Sequence, residues 1–290
     1  MIKKIKKIEG FEIPPNSVVK FISCGDIKKV VYSSIVSHNL KNYKKISGNE
    51  MLNLTTGEII QCKISDSRED NIISLRKTIS RLRDLINCNF FGADNELFIT
   101  LTYKENMTDY KRLYKDFDNF YKKLKYKFKD IEFCYISVVE PQQRGAWHIH
   151  LLLKSLNKDY LYIDNSLIAN LWGQGFCKTK RLLGVDNVGA YLSCYLIDLF
   201  DEKGKKKGAR LYLYPAGINI YRCSRNCKRP VEKKVIYDEL VNYSNFKTYE
   251  VIYEVFDEND RCCNVIKKEF YNLRRPKMVY DGMYAGKGGL

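Results

Sequence analysis

Two histidines in the sequence are spaced so that they could bind one metal ion. His148 and His150 are separated by a single residue in the run WHIHLLL, which has the composition of a β-strand. Because side chains alternate along a strand, both imidazoles point to one face while Trp147, Ile149 and Leu151 point to the other. The chain contains 3 histidines, so most of them fall at this point. The pair predicts a site with two nitrogen ligands.

A carboxylate on the preceding strand is the predicted third ligand. The runs EFCYISVVE and AWHIHLLL are separated by PQQRG, whose proline and glycine predict a chain reversal. A hairpin that turns through residues 141–147 brings Glu140 opposite His148. Two imidazoles and one carboxylate leave positions open on a divalent ion for polarising a phosphoryl oxygen. Two-metal hydrolases and non-haem iron oxygenases generally need a further histidine, and only His38 remains, which argues against both.

Two tyrosines one helical turn apart are candidate nucleophiles. Tyr191 and Tyr195 occur in VGAYLSCYLIDLF, within a helix predicted from about Asp186 to Leu199, and at this spacing both hydroxyls project from one face. A tyrosinate beside a metal-polarised phosphate can attack phosphorus in line, form a phosphotyrosine and release a 3′ hydroxyl. In a chain with 22 tyrosines, such a pair is more often core packing. The spacing alone leaves both interpretations open.

The charge of the chain indicates a polyanionic partner. Its 290 residues include 50 Lys and Arg against 34 Asp and Glu, a net charge of +16, although a lysine-rich composition can also reflect coding bias. The candidate DNA contacts are polar or basic residues on a strand, in a turn and in a basic loop: Thr100, Thr102, Arg144, Lys205, Lys206 and Lys207. The two threonines could equally be ordinary strand formers.

The elements that must position these residues predict an α+β fold. From Glu96 to about Phe200 the element order is βαββαβ. The first helix is capped at Thr108 or Asp109, and the second runs from Asp164 to Gly173. The chain outside this unit divides into an amphipathic helix from Asp66 to about Asn87, β-like runs before it and a β-rich segment after it. The predicted parts are an N-terminal segment (1–90), a catalytic domain (91–202) and a C-terminal extension (203–290).

Several classes of protein are excluded by what the sequence lacks. The 10 cysteines are scattered and several lie in apolar runs, which is typical of reduced thiols in a reducing compartment. Cys223-x3-Cys227 and Cys262-Cys263 depart from the usual spacing of zinc ligands. No run has the length of a signal peptide or a membrane span, so we expect a cytoplasmic protein without a membrane partner. No GxxxxGK[ST] loop occurs, so we expect no nucleotide cofactor.

Three motifs in order give a resemblance to a known family. The runs FITLTY, VVEPQQRGAWHIHLLL and VGAYLSCYL span roughly residues 96–200 and resemble motifs I, II and III of the HUH endonucleases. The resemblance is to the rolling-circle replication initiators of small bacterial plasmids and single-stranded DNA phages. It implies a five-stranded antiparallel sheet of ferredoxin-like or RRM-like layout, with the histidines on a central strand and the tyrosine helix beside them.

The resemblance also implies roles for the candidate residues. His148, His150 and Glu140 would hold Mg or Mn, and Tyr191 or Tyr195 would be the nucleophile, with both acting in two-tyrosine initiators. One-tyrosine members often have a lysine three residues after the nucleophile, and this chain has Cys194 at that position after Tyr191. Which tyrosine leads therefore stays open.

The implied function is a replication initiator that nicks single-stranded DNA at an origin through a 5′-phosphotyrosyl intermediate and religates it. Its partners would be a single strand or origin hairpin and a host helicase acting in trans. One alternative is an HUH transposase or relaxase, but relaxases usually have three histidines and an amino-terminal tyrosine, whereas the tyrosines here follow the histidines. The other is a non-catalytic nucleic-acid-binding protein with an RRM-like sheet.

Overall fold

The structure is a computed structural model with mixed α and β elements. It describes residues 4–35, 43–47, 49–61, 72–142, 144–185, 187–190, 213–215 and 217–275. No helix among these residues is both long and apolar enough to cross a membrane. The described residues divide into two compact units, the terminal unit (Met1–His38 with Pro230–Leu290) and the central unit (Asn39–Arg229).

Antiparallel strands dominate the described part of the chain. In chain order they are β1 (Lys4–Ile8), β2 (Val18–Cys24), β3 (Ile27–Ser33), β4 (Tyr43–Lys45), β5 (Glu50–Asn53), β6 (Ile59–Gln61), β7 (Glu96–Thr102), β8 (Phe133–Pro141), β9 (Trp147–Ser155), β10 (Cys177–Lys180), β11 (Tyr221–Cys223), β12 (Val231–Ile236), β13 (Lys247–Phe256) and β14 (Cys262–Asn272). The helices are α1 (Ile72–Asn89), α2 (Tyr110–Lys127), α3 (Asn165–Trp172) and a 3-10 helix (Tyr237–Phe246).

The central unit contains a five-stranded antiparallel sheet in the order β10-β7-β9-β8-β11, so the histidine strand β9 lies in the middle. The elements β7, α2, β8, β9, α3 and β10 follow one another as the predicted βαββαβ order. The caps are also as predicted. Asp109 accepts hydrogen bonds from Lys111 N and Arg112 N at the start of α2, and Asp164 and Gly173 delimit α3. A separate small sheet has the order β4-β5-β6.

Helices α2 and α3 cover one face of this sheet, as their apolar periodicity predicts. The buried side of α2 consists of Leu113, Phe117, Phe120 and Leu124. Phe117 packs against Tyr135 of β8 with ring centroids 5.3 Å apart, and Trp172 of α3 packs edge-on against Tyr103 at 5.1 Å. Tyr135 alternates with Ile136 and Val138 along β8, so the opposite face of the sheet is left for the histidines.

The fifth strand comes from outside the predicted catalytic domain. Tyr221, Arg222 and Cys223 of β11 pair with β8, and Tyr214 before them donates a hydrogen bond to Val139 O over 2.9 Å. Residues 213–229 therefore belong to the central unit, whereas the sequence analysis assigns them to the extension 203–290. Local periodicity shows that a short run is a strand but does not show which distant strand it pairs with.

The terminal unit is built from both ends of the chain. Its six-stranded sheet has the order β1-β13-β14-β3-β2-β12, so N-terminal strands alternate with C-terminal strands. The predicted β-like runs at 1–65 and 211–280 supply these strands, but they form one sheet instead of two flanking segments. The pairing of β14 with β3 joins Ile266 to Ser33 and Asn272 to Ile27. The contact-based division thus differs from the predicted boundaries at 90 and 203.

A buried network of charges lies in the terminal unit. Lys267 and Glu269 on β14 are fully buried, and Lys267 Nζ lies 3.4 Å from Glu269 Oε1 and 3.1 Å from Glu12 Oε2. Lys247 Nζ also reaches Glu269 Oε1 over 3.1 Å. The hydroxyl of Tyr271 donates to Glu269 as well. Each buried charge thus has an opposite charge or a hydrogen-bond donor beside it, which offsets the cost of removing it from water.

Substituting one member of this network should destabilise the terminal unit. For Lys267→Met we expect the free energy of unfolding to fall by about 3 kcal/mol, because the Glu269 carboxylate stays buried with less compensation. Urea unfolding followed by circular dichroism measures the change. The matched control is Lys268→Met on the same strand, since Lys268 is only partly buried and lies on the opposite face. Equal midpoints for the two variants would show that the network adds no net stability.

Candidate functional site

Three neighbouring strands place the predicted ligands on one face of the central sheet. Glu140 of β8 lies directly opposite His148 of β9, as the predicted hairpin requires. On the other side of β9, Thr102 and Thr100 of β7 lie opposite His148 and His150. Directly opposed residues of antiparallel strands project to the same face. The predicted alternation is confirmed by burial along β9, where Trp147, Ile149 and Leu151 are buried while the two histidines are partly exposed.

His150 is held on three sides. Its Nε2 lies 2.7 Å from Glu140 Oε2 and its Nδ1 lies 3.3 Å from Thr100 Oγ1. Its ring stacks on Phe98 of β7, with centroids 5.6 Å apart and an interplanar angle of 13°. The side chains of His150 and Glu140 are 19% and 28% exposed. The imidazole is therefore fixed in orientation but open on one side.

The hydroxyl of Thr100 suits either tautomer of His150. When Nε2 carries the proton, it donates to the Glu140 carboxylate, and Nδ1 accepts from Thr100 Oγ1. When Nε2 is the metal-binding atom, Nδ1 carries the proton and donates to Thr100 Oγ1. A hydroxyl can do both because it is donor and acceptor. Thr100 is thus placed to orient the imidazole, in addition to its predicted place on the DNA-facing side.

The chemistry of the donor set fits a divalent ion. Two imidazoles and a carboxylate face the same side of the sheet, and Nε2 of His148 is buried. The two imidazole centroids are 6.5 Å apart. Within the described part of the chain, no three His, Cys, Asp or Glu side chains already converge as a metal-binding group. Glu140 instead hydrogen bonds directly to His150, and the metal site stays a prediction.

The start of the predicted tyrosine helix packs closely on α1. Residues 188–190 are helical, and Asn187 Oδ1 accepts a hydrogen bond of 2.9 Å from Ala190 N. Gly189 N donates to Asn87 Oδ1 of α1 over 2.8 Å. A Cβ atom at Gly189 would lie 2.6 Å from Arg83 O, so this crossing requires glycine. Tyr191 and Tyr195 themselves lie outside the described residues.

The predicted DNA contacts fall in different places. Thr100 and Thr102 share the face of the histidines. Arg144 is exposed in the hairpin turn, where its Nε donates to Gln142 Oε1 over 2.9 Å. Lys205, Lys206 and Lys207 lie outside the described residues. The sheet therefore brings the two threonines to the candidate site and leaves Arg144 at the end of the hairpin.

Phe98 is a site residue that the sequence analysis missed. It is buried and provides the flat surface behind His150. The signal was present in the run FITLT, because the alternation that places Thr100 and Thr102 on one face also places Phe98 there. An aromatic residue at that position looks like ordinary core. Only the contact with His150 distinguishes it.

Cysteine does not supply a second nucleophile among the described residues. All the described cysteines are free thiols, as the scattered pattern predicts. Burial raises the pKa of the Cys177 thiol to about 11, so it is protonated at neutral pH and weakly reactive. Cys177 also lies opposite Leu101, on the helix-covered face, away from the histidines.

One comparison identifies a family model that covers the candidate site. The model of the replication-associated protein (ORF2) family matches residues 96–199, which is less than half of the chain. Nothing among curated proteins or solved structures matches the chain. The matched range includes β7, β8, β9 and the predicted tyrosine helix. It therefore supports a replication-associated role for the part of the chain that carries the site.

Proposed function

We propose that this protein is a replication initiator of the HUH type, which nicks and rejoins single-stranded DNA. The observation that carries the proposal is the shared face of β7, β8 and β9, where His148, His150 and Glu140 lie within one family-matched segment. The strand order, with β9 central and helices on one face, is compatible with the ferredoxin-like layout that the motif resemblance implies.

The residues of the site have distinct roles in this proposal. His148, His150 and Glu140 hold Mg or Mn, which when bound supplies positive charge that polarises the scissile phosphate. Thr100 orients the His150 imidazole through Nδ1, and Phe98 shields its ring from water. A pre-oriented imidazole loses little entropy when it binds, which is why the contacts behind the ligand matter.

The nucleophile is Tyr191 or Tyr195. Its phenolic oxygen forms a bond to the scissile phosphorus, the bond from phosphorus to the 3′ oxygen breaks, the phenolic proton is lost and the 3′ oxygen gains a proton. The product is a 5′-phosphotyrosyl link and a free 3′ hydroxyl. Attack of a 3′ hydroxyl on this link reverses the reaction and rejoins the strand. Both steps exchange one phosphodiester for another, so no nucleotide cofactor is needed, and strand separation falls to a host helicase.

The proposal is tested by covalent trapping. The protein is incubated with labelled single-stranded origin oligonucleotides and Mn, and denaturing gels are examined for a protein–DNA adduct. We expect an adduct that forms with Mn and is absent with a chelator, because cleavage needs the ion. The absence of an adduct with every cognate strand would contradict the nickase. Binding that survives chelation without any cleavage would favour the non-catalytic nucleic-acid-binding alternative.

A transposase or relaxase shares this chemistry and is separated by its products. An initiator nicks and rejoins the strand of its own replicon origin, whereas a transposase joins the released end to a different target strand. Supplying a second, unlabelled strand and sequencing the joined products distinguishes the two. The order of histidines before tyrosines in the sequence favours the initiator.

A further inference from the structure

Three residues at the edge of the central sheet point out into solvent in a repeating pattern. Phe176 is 71% exposed, and Lys178 and Lys180 on β10 are also exposed, while Cys177 and Thr179 between them are partly buried. Phe176, Lys178 and Lys180 are called the edge track below. A largely exposed phenylalanine between glycine and lysines contributes little to a core and marks a contact surface.

The sheet register puts the edge track on the same face as the candidate site. Lys178 lies opposite Thr100, which lies opposite His150. Phe176 O accepts a hydrogen bond of 2.8 Å from Thr102 N, so the same register places Phe176 beside Thr102, in the row of His148 and Glu140. Two strand spacings separate β10 from β9, so the track lies about 10 Å from the histidines.

The loop that carries Phe176 is fixed by backbone contacts. A Cβ atom at Gly175 would lie 2.4 Å from Lys104 N and 2.5 Å from Thr102 O, so only glycine allows this approach. Lys104 N also donates to Gln174 O over 2.9 Å. The exposed ring is therefore anchored at its backbone beside the end of β7. A fixed aromatic ring can bind a ligand without a large entropic cost.

The outer edge of β10 does not favour an added peptide strand. Asn165 Nδ2 of α3 donates to Cys177 O over 3.0 Å, and Thr179 Oγ1 donates to Asn165 Oδ1 over 3.2 Å. Strand addition needs free backbone groups along the edge, and Asn165 occupies this one. An exposed ring with flanking lysines instead matches a nucleic acid strand, whose bases stack on aromatic rings and whose phosphates bind cations.

We propose that the edge track binds the single DNA strand beside the bond that is cleaved, with a base stacked on Phe176 and phosphates bound by Lys178 and Lys180. This inference rests on the proposed function, because it takes the substrate to be single-stranded. It assigns the β10 edge as the surface along which the strand leaves the histidines. The strand passes over Thr102 and Thr100 on its way.

The stacking part of the inference is tested with Phe176→Ala. Affinity for a labelled single-stranded oligonucleotide, measured by fluorescence anisotropy, should fall about tenfold, the effect of removing one base–aromatic stack. Affinity for the same sequence as a blunt duplex should not change, because paired bases are not available to stack. Thr179→Ala, on the same strand but the other face of the sheet, is the matched control. Unchanged single-strand affinity in Phe176→Ala would overturn the stacking contact.

The phosphate part is tested with Lys178→Gln/Lys180→Gln. The slope of log Kd against log salt should decrease by about 1.4, which corresponds to two phosphate contacts on a single strand. Lys115→Gln/Lys122→Gln removes the same charge from exposed positions of α2 and should leave the slope unchanged. Equal slopes for the two double variants would overturn the phosphate contacts.

The covalent assay separates this inference from the proposed function. If the wild-type protein forms the adduct and the track variants bind and cleave as it does, the edge track is wrong and the nickase stands. If the wild-type protein forms no adduct but the track variants lose single-strand affinity as described, the nickase is wrong and the binding surface stands. In active protein the Phe176→Ala effect should appear as a raised KM with little change in kcat, since the ring is remote from the reacting atoms.

Discussion

His150→Ala is expected to lower the rate of covalent adduct formation at least about a hundredfold, the scale of losing one group that stabilises charge in the transition state. The same loss is expected for His148→Ala. Single-strand affinity should change little, because binding depends on phosphate and base contacts along the strand. Quantified adduct formation in denaturing gels and anisotropy on the same oligonucleotide measure the two effects separately.

The metal role is distinguished from a structural role by the dependence on Mn. Glu140→Gln keeps the shape of the side chain but removes the charge that contacts His150 Nε2. If Glu140 is a ligand, this variant should need a higher Mn concentration for half-maximal cleavage. Ser137→Ala is the control, because Ser137 is a buried polar residue of β8 that lies opposite Leu151 on the other face. A Mn requirement shared by Glu140→Gln, Ser137→Ala and wild type would exclude Glu140 as a ligand.

Tyr191→Phe/Tyr195→Phe is expected to eliminate the covalent adduct altogether, because phenylalanine lacks the oxygen that attacks phosphorus. Noncovalent binding of the single strand should persist. The single variants then assign the two roles. A nucleophile variant forms no adduct, whereas a variant in the second tyrosine of a two-tyrosine enzyme still nicks but fails to transfer the new strand.

The control for the tyrosines is a pair of the same residue type on another helix. Tyr114 and Tyr126 lie on α2, the helix that covers the opposite face, and Tyr126→Phe on its exposed side should leave adduct formation unchanged. An adduct that persists in the Tyr191/Tyr195 double variant would contradict the assignment of the nucleophile to this helix. Mass spectrometry of the trapped peptide would then identify the residue that carries the DNA.

Most of the central unit could be predicted from the sequence because its signals are local. The cap at Asp109, the glycine that ends α3 and the turn at 141–147 each depend on a few consecutive residues. The hairpin is also a short connection, so the pairing of Glu140 with His148 follows from the turn itself. These are the features on which the ligand prediction depends, and they are confirmed.

The burial of charges in the terminal unit could not be predicted in the same way. In the run VIKKEFYNL, the apolar residues Ile266 and Phe270 alternate with Lys267, Glu269 and Tyr271. Hydrophobic alternation favours burial of the first set, but the structure buries the second. Lys247, Glu250 and Glu12, which lie close to Lys267 or Glu269, come from distant parts of the chain. A charge is stable inside only when its partner is there, and periodicity carries no information about the partner.

The sequence by itself determined the residue types of the candidate site, their common face on β8 and β9 and the order of histidines before tyrosines, since alternation and short turns act over a few residues. Only the tertiary structure decided that Glu140 contacts His150, two residues beyond its directly opposed partner, that Phe98 and Thr100 fix the His150 ring, and that β10 places Phe176 in the same row as His148. The physical reason is that these contacts depend on sheet order and side-chain rotamers. Both are set by packing between segments that are far apart in the chain.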